Sequence, residues 1–344
     1  MTRLDDYQSA LLVADPEVPD TELQQLLEAG GPDFVSFVVD HGLGPMWHER
    51  TRSDALRASR LAAEALYSAQ ERAIEEIDVV LSQAGIEYVL IKGGASRLLL
   101  YENPAVRACF DLDLLVRPAD RVQAVSVLVE AGFSATAKVD NISRELVLTR
   151  GPVDIDLHWG LLREGRLRVD PTTEMLNRRQ SAGSVWMLDP DDALFVLLVH
   201  PAFAKHLAGW GMGLHRVVDI LCWLLTQPVD WDAIVARLEQ QGVRTAAWAT
   251  LRWVAMLVPS DTIPELEARL LSLQPGKLRR AWLERWLRHD VSERTSGTHL
   301  VRLLAFSMFL HDTVGDALRA LLGRLTAHRR RSEDLDAFAG LLEQ

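Results

Sequence analysis

The sequence predicts a mixed α/β (α+β) fold, in which helices flank a sheet, joined to an all-helical C-terminal domain. Short apolar runs typical of strands occur between residues 86 and 159 and alternate with helix-like segments. Beyond about residue 190, apolar residues recur only at helical spacings. The 344 residues suffice for two cores. We expect a helical lead-in at 1–84, an α/β domain at 85–188 and a helical domain at 189–344.

The α/β part begins with a long helix and a buried strand. Apolar residues at three- and four-residue steps predict a helix over residues 53–84, and Gly85 ends it. Residues 86–91 form a nearly continuous apolar run, which predicts a strand buried on both faces. Gly93 and Gly94 then open a turn into a short helix.

Four further strands are predicted downstream, and the last of them run antiparallel. They cover residues 110–116, 133–139, 145–149 and 153–159. A helix that starts at Pro118 and ends at Gly132 separates the first two. The order of strands and helices therefore predicts a mixed α/β sheet with helices.

Two of these strands carry alternating acids. Side chains alternate faces along a strand, so Asp111 and Asp113 share one face, about 6.5 Å apart at Cα. Asp154, Asp156 and His158 share a face by the same rule. The intervening apolar residues are expected to face the core: Phe110, Leu112, Leu114, Val153, Ile155, Leu157 and Trp159.

Carboxylates gathered in this way predict a divalent metal site. Neighbouring carboxylates raise one another's pKa unless a cation lies among them. Mg²⁺ prefers oxygen ligands and commonly also binds the phosphates of a nucleotide. Two such ions, about 3.5–4 Å apart, can activate an attacking oxygen and stabilise leaving pyrophosphate. We therefore expect two Mg²⁺ ions that act together with a nucleoside triphosphate.

The glycine turn supplies a candidate phosphate site. Backbone N–H groups at the start of a helix can hold phosphate oxygens, aided by the helix dipole. Gly93 and Gly94 have no side chains to block that approach. Lys92 and Arg107 are nearby cations that could contact the same phosphates.

Composition limits the other partners. The net charge of −11 argues against a nucleic-acid partner, since nucleic-acid footprints are usually basic. The N-terminus has acids where a signal peptide would have basic and then apolar residues. No apolar run approaches the length of a membrane span. We therefore expect a cytoplasmic protein without a membrane partner.

Three short motifs resemble the signature of the DNA polymerase β-like nucleotidyltransferase superfamily. They are Lys-Gly-Gly at residues 92–94, Asp-Leu-Asp at 111–113 and Asp-Leu-His-Trp at 156–159. Within that superfamily, the chain is most similar to the bacterial uncharacterised nucleotidyltransferases. Val-Asp-Ile at 218–220 and Asp-Trp at 230–231 extend this resemblance.

The resemblance implies a role for each motif. The glycines at 93–94 would hold the triphosphate, and Asp111 and Asp113 would be the first two metal ligands. Asp156 would be the third catalytic carboxylate, which helps to activate the acceptor hydroxyl. Asp154 shares its face and competes for that role, although Asp156 is favoured.

The family reaction would be that of an EC 2.7.7-type transferase. It moves a nucleoside monophosphate from a triphosphate such as ATP onto a hydroxyl or similar acceptor of a small molecule or protein, and it releases pyrophosphate. An alternative is a catalytically weak binding or regulatory module with the same fold, comparable to an antitoxin. A further alternative is a metal-dependent phosphotransferase or hydrolase.

Overall fold

A computed structural model of the chain describes residues 3–136, 144–183, 185–205, 207, 213–258, 263, 265–288 and 299–342. The helices of these residues are α1 (Arg3–Leu11), α2 (Asp20–Asp40), α3 (Gly44–Thr51), α4 (Arg57–Gln83), α5 (Lys92–Leu100), α6 (Arg121–Glu130), α7 (Thr172–Asn177), α8 (Pro190–Ala204), α9 (His215–Thr226), α10 (Trp231–Gln241), α11 (Arg244–Leu257), α12 (Leu266–Leu273), α13 (Lys277–Arg288), α14 (His299–Phe309) and α15 (Val314–Phe338).

The strands form one seven-stranded mixed sheet within the described part of the chain, in the order β3-β4-β5-β2-β1-β7-β6. They are β1 (Tyr88–Leu90), β2 (Asp111–Val116), β3 (Ser134–Thr136), β4 (Glu145–Arg150), β5 (Val153–His158), β6 (Gln180–Ala182) and β7 (Val185–Met187). The pairs β2/β5 and β1/β7 are parallel, and the other neighbouring pairs are antiparallel. The mixed α/β fold predicted from the sequence is confirmed.

The core lies on one face of this sheet. Leu112 and Leu114 of β2 and Ile155 and Leu157 of β5 are fully buried there. They pack in one cluster with residues of α4 and α6 and with Phe338 at the end of α15. Because side chains alternate along each strand, the acidic residues of β2 and β5 lie on the opposite face.

By contacts, the chain forms two compact units. One contains residues 1–64, 100–108 and 197–313, and the other contains residues 65–99, 109–196 and 314–344. This grouping differs from the contiguous division predicted at 84 and 188. The physical reason is α15: the Phe338 ring lies 5.6 Å from the Trp159 ring, so the last helix belongs with the sheet.

Several predicted boundaries need correction. Phe110 was expected in the second strand and in the core, but it precedes β2 and is 68% exposed. β6 and β7 were not predicted, because three-residue strands leave too short a pattern. The third strand ends at Thr136, and residues 137–139 of its predicted range lie outside the described residues.

Candidate active site

Strand directions bring three of the predicted site residues to one place. β1 runs antiparallel to β2, so its carboxyl end lies beside the start of β2, where the Ile91 N–H donates to the Asp113 carbonyl at 3.0 Å. Lys92 follows directly. On the other side of β2, the parallel strand β5 places Asp156 in register with Asp113. The sheet order therefore gathers residues that are distant in sequence.

A chain of short polar contacts joins these residues. Lys92 Nζ donates to Asp113 Oδ1 at 2.6 Å and lies 3.1 Å from His158 Nε2. His158 Nε2 lies 2.8 Å from the same Asp113 oxygen. The other ring nitrogen, Nδ1, lies 3.3 Å from Glu145 Oε2. Both nitrogens of the imidazole thus face a carboxylate, and the ring is fixed between them.

The pair formed by Lys92 and Asp113 is charged. Burial alone would raise the pKa of Asp113, but the Lys92 ammonium and His158 outweigh it and hold that pKa well below its usual value. Burial alone would lower the pKa of Lys92, yet the Asp113 carboxylate keeps it above its usual value. Each charge therefore compensates for the desolvation of the other.

The pKa of Asp156 is shifted in the opposite direction to that of Asp113. Burial, and then the nearby Asp113 carboxylate, raise the pKa of Asp156 from 3.8 to about 6. Glu145 and Asp111 raise it further, while His158 opposes them. A carboxylate with this pKa is largely ionised at neutral pH but accepts a proton far more readily than an ordinary aspartate.

The two remaining acids of the strands lie at the edge of this cluster. Asp111 and Asp154 are paired in register between β2 and β5, and both are exposed. Asp111 is close enough to raise the pKa of Asp156. Asp113, Asp156 and His158, by contrast, each offer a ligand atom within 4.8 Å of the others. The roles predicted for Asp111, Asp113 and Asp156 stay predictions, as does the preference for Asp156 over Asp154.

The glycine turn lies at the same edge of the sheet. Gly93 and Gly94 occupy the first turn of α5, which begins at Lys92, so they lie within the helix and not in a turn that precedes it. Lys92 itself has a positive φ of 51°, a conformation that residues other than glycine rarely adopt. The N-terminus of α5 and the acidic cluster are thus adjacent through Lys92. Phosphate binding by Lys92, Gly93 and Gly94 stays a prediction.

Arg107 has a carboxylate partner already. Its Nη2 donates to Asp219 Oδ2 at 2.7 Å, and its Nε lies 3.2 Å from Asp219 Oδ1. Arg107 is 5% exposed and Asp219 is fully buried, with the Tyr101 hydroxyl donating to Asp219 Oδ1 at 2.8 Å. Arg107 belongs to the unit that does not contain the sheet. Its predicted contact with phosphate stays a prediction.

Sequence reasoning missed Glu145. It begins β4, which pairs antiparallel with β5, and its Cα partner is His158. If the register of β4 against β5 had been known, it would have placed an acidic side chain beside the His158 ring. The signal existed only in the pairing, because Glu145 belongs to no acidic motif of its own.

The residues present fit a divalent cation. The carboxylates of Asp113 and Asp156 are hard oxygen donors, and burial together with the neighbouring carboxylates raises the pKa of Asp156, which a bound cation would counteract. His158 is held on both sides by acids, so it can orient Asp113 in the way that outer residues orient metal ligands. The arrangement can hold a cation against an incoming phosphate.

A comparison with known protein families identifies the family of this chain. Residues 35–259 match a family described as uncharacterised nucleotidyltransferases. The chain belongs to this family. The match confirms the resemblance seen in the short motifs, and it includes the whole of the acidic cluster together with Lys92 and the glycine turn. A comparison with curated proteins finds no match. None of the helices in the described ranges has the length and apolar content needed to cross a bilayer.

Proposed function

We propose that this family member is a Mg²⁺-dependent transferase that moves the nucleoside monophosphate of ATP, or of another nucleoside triphosphate, onto a hydroxyl of a small molecule or protein. The observation that carries this proposal is the in-register pairing of Asp113 on β2 with Asp156 on β5. That pairing supports a cation site, and the glycine turn beside it supports a phosphate site. When bound, Mg²⁺ would neutralise charge on the phosphates and polarise them for attack.

Asp156 is the proposed general base. The acceptor oxygen attacks the α-phosphorus while its hydroxyl proton passes to the Asp156 carboxylate. The bond between the α-phosphorus and the bridging oxygen breaks, and the electron pair leaves with pyrophosphate. Without a bound cation the pKa of Asp156 is about 6, and a cation would lower it, so the carboxylate is ionised at neutral pH and able to accept the proton.

The other residues of the site would orient the reacting groups. Asp113 is fixed by one hydrogen bond from Lys92 and by its contact with His158, both at the same oxygen, so its second oxygen keeps a defined direction. The backbone N–H groups of Gly93 and Gly94, in the first turn of α5, would bind the triphosphate. Lys92 adds a positive charge at the same edge and can contact a phosphate if its ammonium turns away from Asp113.

A binding module with little catalysis is the second candidate. The ion pair of Lys92 with Asp113, at 2.6 Å, supports it because this carboxylate is compensated by a side chain of the protein itself. In that case the protein would bind a nucleotide without transferring it. A hydrolase or phosphotransferase would use the same carboxylates with a different acceptor.

Titration calorimetry with Mg²⁺-ATP and Mg²⁺-GTP tests the nucleotide site, using the wild type, Asp113→Asn and the control Asp232→Asn, an exposed aspartate of α10 outside the acidic cluster. The proposal requires binding by the wild type and by the control, and clear weakening in Asp113→Asn. Equal binding by all three proteins, or none by any, contradicts it.

Product analysis tests the reaction. The protein is incubated in a lysate of its native host with ATP labelled at the α-phosphate, and products are identified by mass spectrometry. A mass gain of one nucleotide on any acceptor supports the transferase, and Asp156→Asn should abolish it. A gain of a phosphate, or hydrolysis alone, indicates the other enzyme classes. Binding without any product indicates the binding module.

A further inference from the structure

A second concentration of charge surrounds a cavity of about 420 Å³. One wall is the segment that follows β5, residues 161–170, and the opposite wall is residues 319–326 of α15. The volume is within the range of about 300–1,000 Å³ that is typical of small-molecule sites. Four arginines line it: Arg144, Arg163, Arg168 and Arg319.

The two walls are fixed to each other by two glycines. Gly165 has a φ of +78°, and a Cβ added to it would overlap the Arg319 carbonyl oxygen. A Cβ added to Gly323 would overlap the Glu164 carbonyl oxygen. The segment and the helix therefore touch through their backbones. This close approach gives the cavity a defined shape, which a loosely attached surface loop would not provide.

Three of the four lining arginines are paired with carboxylates, and two of them share one. Arg144 Nη1 pairs with Asp170 Oδ2 at 2.6 Å. Arg168 and Arg319 both pair with Asp316, each at 2.8 Å. The lining also contains Glu164, so three carboxylates (Glu164, Asp170 and Asp316) accompany the four arginines of the cavity. The ion pairs hold the planar groups in place, and the arginines outnumber the carboxylates by one.

Arg163 contributes to that excess. No carboxylate of the described residues lies within ion-pair distance of the Arg163 guanidinium. The Glu145 carboxylate attracts this guanidinium electrostatically from a longer distance. Partial burial and the Arg324 guanidinium lower the pKa of Arg163. Burial lowers the pKa of the neighbouring Arg166 to about 9, with Arg163 and Arg324 acting in the same direction. Three guanidinium groups therefore repel one another beside the cavity, and a bound anion would relieve that repulsion.

We propose that this arginine-lined cavity binds the phosphate group of a small-molecule substrate, at a site separate from the glycine turn. Guanidinium groups match a phosphate because their N–H donors form a planar fork. An apolar body attached to that phosphate would pack against the aliphatic lining residues: Leu161, Leu162, Leu167 and Leu322.

The cavity adjoins the catalytic cluster along the chain. Arg144 precedes Glu145, the residue that contacts His158, and the Arg144 carbonyl accepts from the Trp159 N–H at 3.1 Å. The Glu145 carboxylate acts electrostatically both on the Arg163 guanidinium of the cavity and on Asp156, so the cavity borders the acidic cluster. The cavity would then be the site of the acceptor, and this assignment rests on the proposed function. Binding of a phosphate group in the cavity does not depend on the proposed function.

Titration calorimetry in EDTA, with the full chain and phenyl phosphate as the probe, tests the proposal. EDTA removes divalent ions and so removes the metal-dependent part of nucleotide binding. Arg163→Gln should weaken the probe at least about tenfold, the size expected for losing one charge-assisted hydrogen bond. The matched control is Arg72→Gln, an exposed arginine of α4 outside the cavity, which should bind like the wild type.

ATP titrated under the same conditions identifies the source of the phosphate. Weakening of phenyl phosphate by Arg163→Gln supports a phosphorylated acceptor. Weakening of ATP alone supports the polyphosphate chain of the nucleotide as the occupant. If the wild type binds neither probe, or if Arg163→Gln binds both as the wild type does, the proposal is overturned. Asp113→Asn should keep its affinity for phenyl phosphate, which separates failure of this site from failure of the transferase.

Discussion

The ammonium of Lys92 lies 2.6 Å from one oxygen of Asp113, in a pair whose side chains are 18% and 6% exposed. An aspartate buried to this degree requires a positive partner or several hydrogen bonds. Here the partner comes from a residue with positive φ at the start of α5, and His158 adds a second contact to the same oxygen. The local geometry of the turn and the charge of the site are therefore linked.

Lys92→Met is expected to destabilise the protein by about 3 kcal/mol, because it leaves the buried Asp113 carboxylate without its ammonium partner and with His158 as its remaining polar side-chain contact among the described residues. Urea unfolding measures the change. The double variant Lys92→Met/Asp113→Asn should lose less than the sum of the single variants, since the two residues compensate for each other. Additive losses would show that the pair contributes little.

A pH dependence follows from Asp156. Its folded pKa of about 6 exceeds the ordinary value of 3.8, so between these pH values the folded protein binds a proton that the unfolded chain has released. This group therefore contributes less stability as the pH rises through that window, and its unfavourable effect is complete above pH 6.

In EDTA at pH 7.5, Asp156→Asn should be more stable than the wild type by about 1–3 kcal/mol, from a shift of about two pKa units at 1.36 kcal/mol each. The difference should shrink toward pH 4. Unfolding in urea at several pH values measures it. A constant difference across the range would show that the pKa of Asp156 is not raised.

The faces of the acidic strands could be predicted from sequence, because alternation along a strand is a local rule. Leu112, Ile155 and Leu157 face the core as expected, and Asp113 and Asp156 share the other face. The convergence of Asp113 with Asp156 required that β2 and β5 be neighbours in parallel register. The family resemblance implied that arrangement, and no local pattern could have given it.

The partners of the charged residues could not be predicted. Lys92 was expected to contact phosphate, and its pairing with Asp113 depends on β1 running antiparallel to β2. The pairing of Arg107 with Asp219 joins residues 112 positions apart. Phe110 was misplaced because the strand begins one residue later than its apolar pattern suggests. These contacts depend on tertiary structure, which alternation and spacing do not encode.

Divalent metal should stabilise the wild type. A ligand that binds only the folded state at a hundred times its Kd adds about 2.7 kcal/mol, which corresponds to a Tm increase of several degrees. Mg²⁺ or Mn²⁺ should raise the Tm of the wild type and of Asp154→Asn, and should have little effect on Asp113→Asn or Asp156→Asn. Thermal unfolding with and without EDTA measures this. A loss of the effect in Asp154→Asn and not in Asp156→Asn would assign the third carboxylate to Asp154.

Arg107→Gln should destabilise the protein by about 3–5 kcal/mol, because it removes the guanidinium from the fully buried Asp219 carboxylate and leaves the Tyr101 hydroxyl as its remaining hydrogen-bond donor among the described side chains. Arg107→Lys keeps the charge but loses the paired geometry, so its loss should be smaller. Urea unfolding measures both. Titration of ATP against Arg107→Lys tests the predicted phosphate contact: a stable variant with weakened ATP binding would support that role as well.

The substitution Gly323→Ala has two opposing effects on the stability of the protein, and they differ in size. In the interior of an exposed helix this change would stabilise by about 0.8–1.0 kcal/mol through helix propensity. Here the new Cβ would overlap the backbone carbonyl of Glu164, and backbone cannot move aside as a flexible side chain can. Overpacking of this kind costs about 1–3 kcal/mol, so net destabilisation is expected.

Gly276→Ala is the control, since a Cβ there meets nothing within 4 Å. Stabilisation by Gly323→Ala in urea unfolding would show that the segment before α7 is not held against α15, and the shape of the arginine-lined cavity would then lack its support.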